Sequence, residues 1–555
     1  MSESKTMPEK PESQPLPSDN AIIEDASLDA ETGSQYKGSR EHNLVRQLKN
    51  RHIAMISIGG VIGTGLFLNT ANSLRFGGPV GILLGYLAVG SITYSVMISL
   101  GEMIAYLPIP GGHIKLAERF VDPAFSFTMG WNYWYNWTVL LAAELSAAAV
   151  LINYWNRTVN NAVWITIISV VVVGINMLGA GVYGEAEFVF ASIKVITITG
   201  LIILGIVIDL GGGPDHDRIG FRYWKHPGPF VQYNNIPGAK GRFLGWWAVM
   251  TQAAFSYIGT EIVAIAAGEA KNPRRNLPKA IKRVYVRILL FYIGGVIIIG
   301  LLVPSNDKGL NLADGTAASS PFVIAIQRSG IKALPSIINA CLVTSAWSAG
   351  SSDLYTSSRA LYGLAAAGNA PRIFLKTLRN GLPITSILFC SAFSCLAYMG
   401  VKSGSGKVFG WFANMTSVAG LMTWFGICVT YLRFYAGMKA QGYERKHLPF
   451  ASPLQPFAAW YAMCFCLLIC FFAGWSVFLS GQWVVATFVT DYLPLVLFPI
   501  LYAGSRFYYW RIGKPITWKR PEDLDFVTDI AEIEADSYDD PPPRNKLEAF
   551  WAWLM

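Results

Sequence analysis

The sequence predicts an all-α polytopic membrane protein. Hydrophobic residues make up 53% of its 555 residues and charged residues only 14%, which argues against a soluble enzyme. The apolar residues form long runs, each of about the 20 residues that a helix needs to cross a bilayer. Polar and basic residues separate these runs. The chain is therefore expected to cross the membrane many times.

About twelve apolar runs have the length of a membrane span. They lie near 52–72, 79–107, 124–155, 162–182, 188–210, 244–268, 286–303, 333–355, 383–401, 408–435, 456–479 and 485–508. Residues 1–45 are rich in Ser, Pro, Glu and Asp and are predicted to form a disordered N-terminal tail. The membrane domain is assigned to 46–510 and a C-terminal tail to 511–555. The N-terminal region has no apolar signal-peptide core, so the first membrane helix is expected to direct insertion.

The basic residues indicate the orientation of the chain. The loop from Lys271 to Arg287 carries seven Lys and Arg residues and no acid, as loops on the cytoplasmic side do. Counting spans from this loop places both termini in the cytoplasm. The formal charge of +9 does not indicate nucleic-acid binding, because the basic residues lie between apolar spans and do not form one face.

Two glycine-containing segments interrupt apolar spans at matching places. The first, Ile58–Phe67, contains four glycines, and the second, Ser256–Glu261, repeats its Ile-Gly-Thr pattern five helices later. Backbone groups freed by such breaks are tolerated in a membrane only where they face protein or a cavity, so paired breaks indicate inverted repeats around a ligand site. Two alternatives stay open: close helix packing through Gly59 and Gly63, and chance in glycine-rich spans.

Five segments resemble the fungal amino-acid permeases of the amino acid, polyamine and organocation (APC) transporter superfamily. The resemblance extends from about residue 45 to 510 and is carried by Gly59–Phe67, Ser99–Met103, Ala143–Ser146, Phe255–Arg274 and Ser358–Tyr362. It implies two inverted repeats of five helices plus two peripheral helices, with helices 1 and 6 discontinuous. It also implies proton-driven import of amino acids across the plasma membrane.

The resemblance implies a substrate site at the two breaks. Thr64 and Gly65 would bind the amino-acid carboxylate, and the carbonyls of Val61, Phe255 and Ile258 would accept from the α-ammonium. Gly259 and Thr260 complete the second break, and Phe255 would close over the substrate. A zwitterion suits such a site because a broken helix offers both donors and acceptors. Thr64 alternatively only caps its half-helix.

Lys194 is the expected proton-coupling residue, because related proton-driven permeases place a lysine at this position. Its ammonium is expected to contact the carbonyls of Gly59 and Ile62 and the hydroxyl of Ser351 or Ser352. The alternative is a lysine whose long stem reaches the interface.

Acidic residues inside the spans are candidates for functional roles, because a charge inside a membrane is costly. Glu144 would repel acidic cargo and so favours neutral and basic amino acids, unless it is a neutral hydrogen-bond donor. Glu261 is either a gate or proton carrier or a bridge between helices. Asp353 is expected to pair with Lys194 or Arg359. Glu102 is expected to hold an inner loop through Lys271 or Arg274.

The remaining features indicate neither an enzyme nor a cofactor. The six histidines lie in loops or at helix ends without paired spacing, and the seven cysteines lie in or beside apolar runs, which argues against a membrane acyltransferase or a metal site. The expected partners are an L-amino acid, protons and lipid, with trafficking or ubiquitin-ligase adaptors at the tails. The alternative function is an amino-acid receptor with little or no net transport.

Overall fold

The secondary structure is helical throughout the part of the chain that the computed structural model describes, which comprises residues 62–109, 111–156, 158–262, 286, 288–311, 320–378, 380–514, 516–530, 533 and 545. Its α-helices are α1 Thr70–Tyr106, α2 Gly112–Phe120, α3 Pro123–Ile152, α4 Asn161–Met177, α5 Ala180–Asp209, α6 Arg222–Lys225, α7 Gly238–Tyr257, α8 Gly294–Leu302, α9 Pro321–Arg328, α10 Leu334–Ala366, α11 Ile384–Ala392, α12 Gly400–Ser403, α13 Ser405–Ala440, α14 Phe457–Phe471 and α15 Val485–Arg511. Two π-helical segments, Gly65–Asn69 and Ile288–Ile293, lead into α1 and α8.

Among the described residues, seven helical stretches are long and apolar enough to cross a membrane. They are Gly65–Tyr106, Pro123–Ile152, Gly181–Asp209, Ile384–Ser403, Ser405–Ala440, Phe457–Phe478 and Val485–Arg511. The helices Asn161–Met177 and Ile288–Leu302 are apolar but shorter. The predicted all-α, multi-span membrane class is therefore confirmed at this level.

The first membrane-length stretch is divided into two arms at Gly78. Its 42 residues would make a straight helix of about 63 Å, roughly twice the thickness of a bilayer core. Gly78 has a φ of +74°, a conformation that glycine adopts without steric cost, and Pro79 follows it. The freed Val80 N–H donates to the Pro229 carbonyl at 3.0 Å. The break lies between the first and second predicted spans.

Helix α7 ends where the second glycine break is predicted. Its last residue is Tyr257, and Ile258 has an extended ψ of 145°. Gly259 follows with a φ of +93°, so an L side chain at this position would be strained. The Ile262 N–H donates to the Gly259 carbonyl. The chain therefore turns at residues 258–261, and residues 263–285 lie outside the described part.

Two helix pairs form the centre of the bundle. Helix α10 packs along α3, and α1 packs along α7. The inner part of α10 is rich in serine, and Ser345, Ser348, Ser351 and Ser352 are buried. Buried hydroxyls need hydrogen-bond partners, so this helix brings polar groups into the core.

The buried Glu102 ties one end of the bundle together. Its carboxylate accepts hydrogen bonds from the Tyr431 hydroxyl, from the Arg445 guanidinium at 2.6 Å and from the Ser452 N–H at 2.6 Å. The structural role expected for Glu102 agrees with this network, but its partner is Arg445; Lys271 and Arg274, the expected partners, lie outside the described residues.

The segment after α15 also packs against this end of the bundle. Phe526 is buried against the rings of Tyr106, Phe120 and Phe434. The Arg119 guanidinium donates to the carbonyls of Asp525 and Thr528. Part of the predicted C-terminal tail therefore belongs to the folded body.

We predict that Glu102→Ala lowers stability by about 3 kcal/mol, because it leaves the buried donors of Tyr431 and Ser452 and the Arg445 charge without their acceptor. The measurement is the midpoint temperature at which the purified protein loses its monodisperse chromatographic peak. Glu118→Ala is the control, since Glu118 pairs with the exposed Lys115 and such pairs contribute little. Equal midpoints for the two variants would contradict the prediction.

Candidate functional site

The first glycine break touches the end of α7. A Cβ added at Gly65 would lie 2.7 Å from the Cα of Ser256 and 3.2 Å from Cδ1 of Phe255. No side chain fits between backbones this close, so glycine is required for the contact. The two segments that the sequence singles out therefore meet in the folded chain.

Thr64 and Glu144 form a buried hydrogen bond beside this contact. The Thr64 hydroxyl donates to Glu144 Oε1 at 2.8 Å, and the two residues are 1% and 4% exposed. The other carboxylate oxygen, Glu144 Oε2, has no hydrogen-bond partner within the described residues. A buried carboxylate oxygen without a donor is costly, so this atom can accept from a bound molecule.

The residues of the second break differ in their surroundings. Phe255 lies at the Gly65 contact and packs edge-on against Phe409 at 5.7 Å. Tyr257 stacks on Tyr292 at 4.5 Å, and its hydroxyl donates to the Tyr86 carbonyl. Phe255 is therefore the aromatic residue at the site, and Tyr257 is held in the helix packing.

The turn after Tyr257 satisfies part of its own backbone. The Thr260 hydroxyl donates to the Tyr257 carbonyl at 3.2 Å, and the Ile258 side chain packs against Gly420. Glu261 is buried and accepts from the Trp424 indole N–H at 3.2 Å, which favours the helix-bridging alternative. Val61 and Gly59 lie outside the described residues.

Lys194 is deeply buried beside a carboxylate that the sequence analysis did not select. Its Nζ lies 3.7 Å from Glu187 Oε1, and both side chains are 1% exposed. The other oxygen, Glu187 Oε2, accepts from the Ser348 hydroxyl at 2.6 Å. Lys194 Nζ forms no hydrogen bond with any described residue, so the ammonium is held by charge alone.

The contacts expected for Lys194 with oxygen atoms of α10 and the first break differ from those observed. The Ser351 hydroxyl accepts from Asn176, and the Ser352 hydroxyl accepts from Tyr183. The Ile62 carbonyl accepts from Ser345 at 3.5 Å. Side chains lean toward the N-terminus of their helix, and this direction carries Lys194 toward Glu187.

Glu187 had a signal in the sequence. It precedes Lys194 by seven residues, two helical turns, so the two share one face of α5. A lysine's long stem spans much of that distance. An acid at this spacing from a membrane-embedded lysine is therefore a candidate counter-ion.

Asp353 is a further buried acid near this pair. It is 2% exposed, and its Oδ2 has no hydrogen-bond partner within the described part of the chain. The charges of Glu144, Lys194 and Glu187 act on it electrostatically. Arg359, its other expected partner, stacks on the Tyr355 ring and donates to the Tyr355 carbonyl. Three buried carboxyl groups thus interact electrostatically with one ammonium.

Other parts of the described chain carry less chemistry. No cluster of His, Cys, Asp or Glu suited to a metal ion occurs in the described ranges, and the seven cysteines are free. A surface cavity of about 650 Å³ is lined by residues that include Tyr223, Asp307 and Arg328. It contains none of the candidate site residues, so the buried polar groups at the helix break define the site better than this hollow.

A helical membrane bundle with a buried polar site at an interrupted helix has the organisation of a membrane transporter. The amino acid permease family matches residues 52–516, and the chain belongs to this family. It is therefore a multi-pass membrane transporter and not an enzyme.

Full-length relatives support this assignment. The chain is 41% identical to a proline-specific permease of Emericella nidulans, over 93% of this chain and 94% of the relative. It is 44% identical to a dicarboxylic amino acid permease of Saccharomyces cerevisiae, over 85% and 79%. It is 41% identical to a lysine-specific permease of the same yeast, over 92% and 83%.

We predict that Gly65→Ala abolishes transport and that Gly63→Ala is tolerated. The Cβ introduced by Gly65→Ala would meet the Ser256 backbone at 2.7 Å, whereas a Cβ at Gly63 has its nearest neighbour, Glu144 Oε1, at 3.4 Å. The first change forces the two helices apart, while the second makes an ordinary contact. The measurement is amino-acid uptake at matched surface expression. Equal uptake by both variants would show that the close contact is dispensable.

Proposed function

We propose that this protein is a proton-coupled symporter that imports amino acids across the plasma membrane by alternating access. The observation that supports this most directly is the buried Thr64–Glu144 pair at the contact between the first glycine break and α7. The buried Lys194 supplies a group that can take up and release a proton. Membership of the amino acid permease family supports the class of cargo.

The proposed architecture has about twelve transmembrane helices, arranged as two inverted repeats of five helices with two peripheral helices. Both termini lie in the cytoplasm, since the basic loop at Lys271–Arg287 then faces inward. Residues 1–45 and 511–555 form the terminal tails, with 516–530 folded back against the membrane domain. The tails are the proposed contacts for trafficking or ubiquitin-ligase adaptors.

The proposed substrate site uses the freed peptide groups of both breaks. Thr64 and Gly65 donate to the amino-acid carboxylate at the start of a helix, where the backbone N–H groups are unpaired. The α-ammonium is bound by carbonyls of Val61, Phe255 and Ile258, with Gly259 and Thr260 shaping the turn. Phe255 closes the site, because its ring already lies against Gly65.

Substrate choice is proposed to depend on Glu144. Its partnerless Oε2 favours a neutral or cationic amino acid over an acidic one, because a buried carboxylate repels a second carboxylate. Relatives at similar identity are named for proline, for lysine and for dicarboxylic amino acids. The shared backbone site thus accommodates several cargoes, and side chains around it select among them.

Proton coupling is proposed to use Lys194. Protonated, it attracts the carboxylates around it; deprotonated, it releases them, which loosens α5 from α10. Ser351 and Ser352 lie on α10, which packs against α5. We propose that these two residues, Ile62 and the backbone of Gly59 exchange partners with Lys194 during the cycle. Glu261 is proposed to bridge the second break to α13 through Trp424.

The decisive experiment measures uptake of each radiolabelled amino acid by cells that express the chain in a permease-deficient background. Uptake is expected to be higher at acidic than at neutral pH and to be abolished by an uncoupler. Binding without uptake would favour the receptor alternative. Uptake that is independent of both pH and uncoupler would contradict the proton-coupled mechanism.

We predict that Glu144→Gln lowers uptake of lysine about tenfold relative to proline, because the variant loses a buried charge that attracts the cationic side chain. Thr64→Val is the matched variant, since it removes the hydrogen bond to Glu144 and keeps the charge. Thr64→Val is expected to reduce uptake of lysine and of proline by the same factor. An unchanged lysine-to-proline ratio in Glu144→Gln would contradict the role of the charge.

A further inference from the structure

Lys194 and Glu187 form a buried pair on α5, and the role inferred for this pair rests on the proposed proton symport. We propose that Glu187 receives the transported proton from Lys194 and releases it to the cytoplasm. The two residues then form one coupling unit within α5.

The geometry of the pair supports direct exchange. Lys194 Nζ and Glu187 Oε1 are 3.7 Å apart, and neither atom has a hydrogen-bond partner among the described residues. A shift of less than about 1 Å brings them to hydrogen-bond distance. The Ser348 hydroxyl holds the other oxygen, Glu187 Oε2, at 2.6 Å and so fixes the carboxylate in place.

The position of Glu187 along α5 gives the transfer a direction. With the proposed orientation, α5 enters the membrane from the cytoplasm at Ala180. Glu187 then lies seven residues, about 10 Å, closer to the cytoplasm than Lys194. A proton that moves from Lys194 to Glu187 has therefore moved inward.

The charges facing Glu187 make its ionised form dependent on Lys194. Its titratable neighbours are Asp353 on α10 and Lys194 and Tyr183 on α5. Glu144 on α3 acts on Asp353, and Tyr355 and Arg359 on α10 act on Tyr183. The acids outnumber the deeply buried cation, so a proton added to one of them relieves repulsion. Transfer from Lys194 to Glu187 balances charge within the pair: the N–H bond breaks, an O–H bond forms, and a neutral amine and a neutral carboxylic acid result.

Tyr183 lies one helical turn before Glu187, on the side that faces the cytoplasm in the proposed orientation, and it stacks on Tyr355. The rings of Tyr183 and Tyr355 are nearly parallel, with centroids 4.0 Å apart, and the Arg359 guanidinium lies over the Tyr355 ring. The Tyr183 hydroxyl donates to Ser352 on α10. Separation of α5 from α10 would open this stack and admit water to Glu187, so release follows the opening of the inner side.

The test compares Glu187→Gln with the wild-type protein in proteoliposomes. Net uptake driven by an imposed pH gradient is expected to fall at least about tenfold, as for loss of a proton-transfer group. Exchange of labelled for unlabelled amino acid without a gradient is expected to persist, because it needs no net proton release. Glu185→Gln, on an exposed position of the same helix, is the matched control and is expected to keep both activities.

The outcomes separate this inference from the proposed function. Wild-type uptake that ignores the gradient overturns both. Gradient-driven wild-type uptake with an unimpaired Glu187→Gln variant overturns only the role of Glu187. Loss of exchange together with gradient-driven uptake in that variant indicates a structural role and also overturns it.

A second variant keeps the inference testable if Glu187→Gln does not fold. Ser348→Ala removes a hydrogen bond that stabilises the ionised carboxylate of Glu187. Release of the proton from Glu187 then becomes less favourable, so the pH profile of uptake is expected to shift to higher pH. Exchange is expected to continue. An unshifted profile would overturn the inference.

Discussion

The close contact between the first glycine break and α7 is the constraint on which the site depends. Peptide groups freed inside a membrane must face protein or a polar cavity, and two backbones can share one cavity only where no side chain separates them. Gly65 meets this condition against Ser256. The contact also places Phe255 at Gly65, next in the chain to Thr64, whose hydroxyl donates to Glu144 on a third helix. The candidate site thus combines residues of three helices, and Gly65, which has no side chain, allows two of them to meet.

Two groups of buried charges in the described residues differ in how they are satisfied. Glu102 accepts from three donors on separate segments, an arrangement that stabilises one conformation of that end of the bundle. Lys194 lies beside Glu187 without a hydrogen bond to any described residue, and Glu144 and Asp353 each retain an oxygen atom without a partner in the same part of the chain. A fully satisfied charge resists change, whereas a poorly satisfied one can change partners or protonation at low cost. The second group is therefore better suited to a change of partner or protonation during the proposed cycle.

The chain belongs to a family whose members are named for different amino acids. This variety fits a site in which the backbone binds the shared groups and side chains select the cargo. Backbone groups at the breaks can bind the carboxylate and ammonium that all amino acids share, so they need not vary with cargo. In the proposed mechanism, selection then rests on side chains at the edge of the site, with Glu144 deciding which charges are tolerated. Scaffold and specificity can in this way change separately.

The amino-acid sequence was sufficient for the features that depend on neighbouring residues. Apolar runs predict membrane helices, and glycine and its neighbours predict the interruption at Gly259. Partners brought together by packing were beyond its reach: Arg445 reaches Glu102 across 343 positions and Trp424 reaches Glu261 across 163. Glu187 shows the limit within one helix, since its spacing from Lys194 was visible but its burial and its contact with Ser348 were not. Local propensity follows from short-range sterics and hydrophobicity, whereas the choice of partner for a buried charge depends on which helices pack together, and only the tertiary structure decides that.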